Sequence, residues 1–179
     1  MTICRIARGS FSNTGAGETR YLKLAAAIAS QVGHFGPALR SQRSSAIAFP
    51  HGLTGLDSRR FTLVARAEDD AFMWLHSLED PALALPLADP RRFFADFVFE
   101  PAEGELERLG IDRGALAAED TAVYVTVRAS ERLEDFTANL RAPIAIVGGA
   151  GYQLLNQAPA AELRAPLFAE LAAAAEQAA

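Results

Sequence analysis

Histidines, paired acids and a glycine cluster are the residues of this chain that could carry chemistry. The three histidines, His34, His51 and His76, fall in separate segments. None has the i, i+4 partner or the Cys-x-x-Cys neighbour that marks a zinc site, so no metal is expected. Two pairs of acids, Glu79-Asp80 and Glu134-Asp135, are adjacent in sequence. General acid–base work needs carboxyl groups held apart across a cleft, and neighbours on a turn do not provide that gap. They read as turn and solvent-facing charges. Gly148-Gly-Ala-Gly151 lacks the Lys-Ser/Thr of a phosphate loop and lies between two strand-like runs rather than ahead of a helix. No serine stands in a Gly-x-Ser-x-Gly elbow. The single cysteine, Cys4, has no base placed beside it. Arg59-Arg60 and Arg91-Arg92 come without an aromatic platform for stacking bases, so direct nucleic-acid binding is not expected. The chain is therefore read as a non-enzyme, with no catalytic residue and no cofactor.

The elements that hold these residues are short strands and turns. Ala46–Phe49 leads into the two-glycine turn Pro50–Gly55. Phe61–Arg66 alternates as a strand does, Glu68–Asp70 turns, and Phe72–Ser77 is the next strand. After the turn Leu78–Pro81, Leu83, Leu85 and Leu87 share one face, and Pro86 on the other suggests an edge or a bulge. Glu103 to Gly110 reads as one short helix stopped by its glycine. In Thr121–Arg128, Val123, Val125 and Val127 point one way while Tyr124, Thr126 and Arg128 point the other. Ile144–Val147, a glycine turn and Tyr152–Leu155 form a hairpin. Short strands at this spacing, without alternating long helices, predict an all-β fold: a small antiparallel β-barrel with a few short peripheral helices. Its core should include Trp74, Val123, Val125, Val127, Ile144 and Ile146. Trp74 has a second reading as a partner anchor, since tryptophan is enriched at interface hot spots.

Three regions follow. Residues 1–31 form an N-terminal extension in which Tyr21, Ala25 and Ile28, with Val32 just beyond, recur at helical spacing. Residues 32–158 form the barrel domain. Residues 159–179 form an alanine-rich tail with Leu163, Leu167 and Leu171 every four residues, expected to be helical unless Pro166 breaks it.

The 179 residues suffice for one domain with a real core. No window approaches the ~20 apolar residues of a membrane span, and Met1–Arg5 lacks the layout of a secretion signal. With one cysteine and hence no internal disulfide, the expected location is the cytoplasm. The net charge of −5 is unevenly distributed. Up to Arg66 there are nine Lys/Arg against two acids, and from Ala67 onward eight Arg against twenty acids. An acidic body disfavours phosphate contacts and suits a basic protein partner.

Several segments together resemble the bacterial flagellar assembly factor FliW family, over residues 34 to about 155. His34-Phe-Gly36 resembles its first strand. Phe49-Pro-His-Gly-Leu-Thr-Gly-Leu56 resembles its Phe-Pro-x-Gly-Leu-x-Gly-Phe turn, with Arg60-Phe61 fitting the strand that follows. Phe72-Met-Trp-Leu-His-Ser-Leu-Glu-Asp-Pro81 resembles its Phe-x-Trp-Leu-Gln-Ser-x-x-Asp-Pro block. Asp89-Pro90 with Phe93-Phe94, then Leu106 to Gly110, continue the series. Asn139-Leu-x-Ala-Pro-Ile144 with Gln153 completes it. Leu56 stands where the family usually has Phe, His76 replaces Gln, and the turn after Val147 is glycine-only where members usually carry basic residues.

The resemblance implies a small β-barrel without an active site. It implies a cytoplasmic protein that binds flagellin and the basic, RNA-binding translational regulator CsrA, relieving CsrA repression of flagellin translation. The alternatives are a flagellin-binding chaperone without CsrA contact, or an enzyme on the same barrel. For partner contact, the candidates are the acidic pair Glu79 and Asp80 with His76 in the same block. The segment Asn139, Leu140 and Pro143 is second, because an asparagine ahead of a rigid Ala-Pro step presents fixed hydrogen-bonding groups.

Overall fold

The structure is a computed structural model that describes residues 45–65, 72–118 and 121–169. The expected helix at 18–31, the first strand at His34–Gly36, the turn at Glu68–Asp70 and the tail beyond 169 lie outside the described residues. The described residues fall in two compact units, one within 45–127 and 138–165, the other of 128–137 and 166–169.

In chain order the strands are β1 (Ile47–Ala48), β2 (Arg60–Val64), β3 (Phe72–Ser77), β4 (Ala84–Ala88), β5 (Ala122–Arg128), β6 (Thr137–Ala138), β7 (Ile144–Val147), β8 (Ala150–Gln153) and β9 (Ala165–Pro166). Seven of them close a barrel in the order β4-β3-β2-β1-β8-β7-β5, with β5 returning to β4 through Leu87↔Thr126 and Ala88↔Val125. The barrel was expected to be antiparallel. One pairing differs: β1 and β8 run parallel, joined at Ala48↔Ala150. No tight turn links these two strands, so nothing local forces them to run in opposite directions. β4 is not an edge either. Pro86 pairs with Trp74 on one side and precedes the point where the pairing to β5 starts, so its missing N–H breaks no ladder bond there.

Alternation sorts the side chains into two cores. Ile47, Phe61, Leu75, Leu87 and Ile144 come from strands all around the ring and meet Phe49 and Leu53 in its interior. Tyr124 and Ile146 pack against the same cluster. The opposite face of β5 and β7 carries Val123 and Ala145, which are covered from outside by Leu106 and Ile111. The six expected core residues follow this division. Trp74, Val123, Val125, Val127 and Ile144 are buried and Ile146 is half-buried, but the three valines face away from Tyr124 and the barrel interior.

The outer layer rests on two helices, α1 (Glu103–Leu109) and α2 (Arg113–Leu116). Gly110 ends α1 in the left-handed region, at φ 68°. Its N–H donates to the Glu107 carbonyl and that of Ile111 to the Leu106 carbonyl, the Schellman pattern that sets Ile111 beside Leu106. The sequence does not announce α2, a single turn that Asp112 caps by accepting from the Ala115 N–H at 3.0 Å.

β7 and β8 meet through a two-residue turn in which Gly148 and Gly149 both have positive φ, 55° and 82°. That sign at both central positions is what a type I′ hairpin requires. Gly151 does not turn; it sits within β8, and a Cβ there would lie 2.3–2.6 Å from the ring of Phe49. The ring fits edge-on to Phe61, centroids 5.2 Å apart, because that side chain is missing.

Over 160–168 the alanine-rich sequence predicts helix, but the chain forms turns and β9. Pro166 supplies no N–H to a helix, and the Glu162 carbonyl accepts from Leu140 instead. In the second unit, Leu167 N–H donates to the Phe136 carbonyl at 2.9 Å, and the rings of Phe136 and Phe168 lie 6.0 Å apart.

Candidate partner-binding surface

The turn after β3 is built around Ser77. Its Oγ accepts from the N–H groups of Glu79 and Asp80, at 3.0 and 2.9 Å, and donates to Ser58 Oγ at 2.8 Å. Asp80 Oδ1 accepts from Ala82 N–H at 2.9 Å, closing an Asx turn that leads into β4. The Glu79 carboxylate reaches back to the start of β2, accepting from Arg59 N–H at 2.6 Å and from Arg60 Nε at 3.1 Å. The Arg59 amide, then the Arg60 guanidinium, hold the Glu79 carboxyl below its ordinary range. Glu79 thus joins two elements, while the exposed Asp80 carboxylate stands at the tip. His76 is half-buried between Thr62 and Ala84, and burial pushes its imidazole pKa down.

The second candidate segment is packed into the frame at Leu140 and Pro143, while Asn139 is half-buried. Asn139 Oδ1 accepts from the N–H groups of Arg141 and Ala142, each at 3.0 Å. Leu140 and Pro143 are buried, and the Pro143 carbonyl accepts from Leu154 N–H. The two candidate groups answer to different neighbours, His76–Asp80 to residues 58–60 and Asn139–Pro143 to residues 154–162.

Gln153 has a local task as well. Its Oε1 accepts from Thr54 N–H at 3.0 Å, pinning the Pro50–Gly55 turn to the hairpin. Arg59 Nη1 donates to the Pro50 carbonyl from the other side. His51 then faces Tyr152, ring centroids 6.3 Å apart.

Sequence reasoning missed Asn156, which is fully buried. Its Oδ1 accepts from Glu100 N–H at 2.9 Å and Ala158 N–H at 3.2 Å, and its Nδ2 donates to the carbonyls of Val98 at 2.8 Å and Leu140 at 3.2 Å. All four hydrogen-bonding positions of the amide are filled, so its burial is compensated. The only signal in the sequence is a pair of amides, Asn156-Gln157, after the apolar pair Leu154-Leu155. Beside Asn156 lies a cleft of about 360 Å³, walled by Phe94, Phe97 and Val98 and floored by Leu140, Ala158 and Ala161.

Among the described residues no three His, Cys, Asp or Glu side chains group as metal ligands, and no helix is long and apolar enough to cross a membrane.

Residues 32–167 match the family model of the FliW protein. The chain belongs to the FliW family. The flagellar assembly factor FliW of Alkaliphilus metalliredigens is 34% identical over 118 residues, covering 65% of this chain and 70% of that protein. That of Caldanaerobacter subterraneus is 33% identical over 132 residues, covering 70% and 83%. A crystal structure of the flagellar assembly factor FliW superposes with a TM-score of 0.58 at 29% identity, over 69% of this chain and 85% of that one. The FliW match takes in the closed barrel, both candidate segments, Asn156 and the cleft.

Proposed function

We propose that this FliW-family chain is a flagellar assembly factor that acts by binding proteins and turns over no substrate. Its partners are CsrA and flagellin, and binding relieves CsrA repression of flagellin translation in the cytoplasm. The observation that carries this reading is the family match over residues 32–167. The acidic balance from Ala67 onward supports it, since twenty acids against eight arginines suit a basic partner.

The test is calorimetric titration of the purified chain with CsrA and with flagellin from the same genome, followed by competition. Saturable binding to both, with flagellin displacing CsrA, is the expected result. Binding to flagellin alone would leave a dedicated chaperone. Binding to neither would remove the reading.

A further inference from the structure

We propose that the cleft beside Asn156 is a docking site for a protein segment that presents an apolar anchor next to a lysine or arginine. Nine of the twelve residues around the cleft are apolar, so the favourable term available there is burial of an apolar side chain. The other three are Asp96, Glu100 and Asn156. Asn156 has every donor and acceptor engaged by backbone, so it offers a ligand no further hydrogen bond. A sugar or a nucleobase would meet the two carboxylates as its only open side-chain partners and shed the rest of its hydration against apolar groups, which argues against a polar small molecule.

The charges decide what accompanies the anchor. Asp96 and Glu100 are exposed, and among the described residues neither forms an ion pair. Among the described residues no cationic side chain lines the cleft. An anionic lipid headgroup or a phosphate is repelled, and a cation flanking the anchor is favoured. Val98, half exposed at 50%, forms an apolar lip between the two acids in sequence, so anchor and cation can be satisfied by one short segment.

The cleft is also pre-organised. One wall is held by Phe97 N–H donating to the Phe94 carbonyl at 3.1 Å. Asn156 ties Val98 and Glu100 to Leu140 and Ala158, and Gln157 N–H donates to the Glu100 carbonyl at 2.9 Å. A site whose walls are already fixed loses little conformational entropy on binding. At about 360 Å³ it has room for two or three large apolar side chains rather than a whole helix face. This inference does not depend on the identity of the partner, and stands whether or not CsrA or flagellin binds.

Nuclear magnetic resonance titration of the isotopically labelled full chain tests it. The probes are three capped synthetic peptides: Lys-Leu-Lys, Glu-Leu-Glu, which reverses the flanking charges, and Lys-Ser-Lys, which removes the apolar anchor. The Lys-Leu-Lys peptide should give saturable shifts at the amides of Phe94–Glu100 and Ala158–Ala161, and at the Asn156 side-chain amide. Each of the other two should bind roughly tenfold or more weakly, as loss of one interaction of ~1.4 kcal/mol implies. A folded Asp96→Lys, Glu100→Lys double variant should reverse the preference toward Glu-Leu-Glu. Equal binding of the three peptides by the wild type, absence of saturable binding, or shifts centred elsewhere would overturn the proposal. Concentration-dependent shifts of the cleft without peptide would assign it to a second copy of this chain, and would overturn it as well.

Discussion

At the scale of single residues, the charge of Glu79 and that of Asp80 have different fates. Glu79 bonds back to Arg59 and Arg60, and reversing its charge would disturb the junction of β2 and β3 together with any interface. Asp80 accepts one local bond from Ala82 and is otherwise presented to solvent. Asp80→Lys is therefore the cleaner probe of attraction to a basic partner. Under the proposed function it should slow association with CsrA and flatten the salt dependence of that rate, while the dissociation rate changes little; stopped-flow mixing at several salt concentrations measures both. His76 gives a prediction about pH. Its imidazole titrates lower in the folded protein than in the unfolded chain, where the value is about 6.5. Between the two values the unfolded state holds more protons, so stability is complete above about pH 6.5 and falls on acidification through that window. His76→Gln removes this contribution. The drop in urea midpoint between neutral and mildly acidic buffer should shrink in the variant, and an undiminished drop would clear His76 of the effect.

Secondary-structure elements differ in how openly the sequence announces them. β5 is legible because its two faces differ: Val123, Val125 and Val127 are all buried, Val123 under the outer layer, while Tyr124 packs against the core of the barrel. Val125→Ala should cost about 1–3 kcal/mol, because Val125 is fully buried and a truncation there leaves a cavity. Urea unfolding checks the value, and a loss within error would mean that this strand relaxes around the gap. The hairpin of β7 and β8 is legible from its glycines, although their tasks differ: Gly148 and Gly149 turn, and Gly151 makes room for Phe49. α1 is marked by Gly110. What stays hidden is whatever depends on segments far apart in the chain. The pairing of β1 with β8 leaves no local pattern, α2 is one turn fixed by its cap, and the alanines of 160–168 follow tertiary bonds over helix propensity. The candidate site divides in the same way. The His76–Asp80 turn is visible as charges flanking a strand. The cleft is not, since its walls come from residues 94–100 and its floor from residues 140–161.

On the scale of the whole molecule, the family match encloses the whole closed ring. Residues 32–167 match the FliW model, and β1 to β8 fall inside that range. The parallel seam at Ala48↔Ala150 also sets a clock on biosynthesis. A ribosome adding ~5–20 residues per second needs ~5–20 s to travel from one side of this seam to the other. Throughout that interval β1 can pair with β2, but its second edge has no partner and is open to strands of other nascent chains. Chains that end at Val147 ahead of a linker spanning the exit tunnel, and so lack β8, should therefore be degraded rapidly by added protease. Full-length chains held on the ribosome by an appended linker long enough to clear the exit tunnel should resist it. Equal resistance of the two would show that the barrel holds together without its seam. A protein that closes its own ring last spends most of its synthesis dependent on whatever shields an unfinished edge.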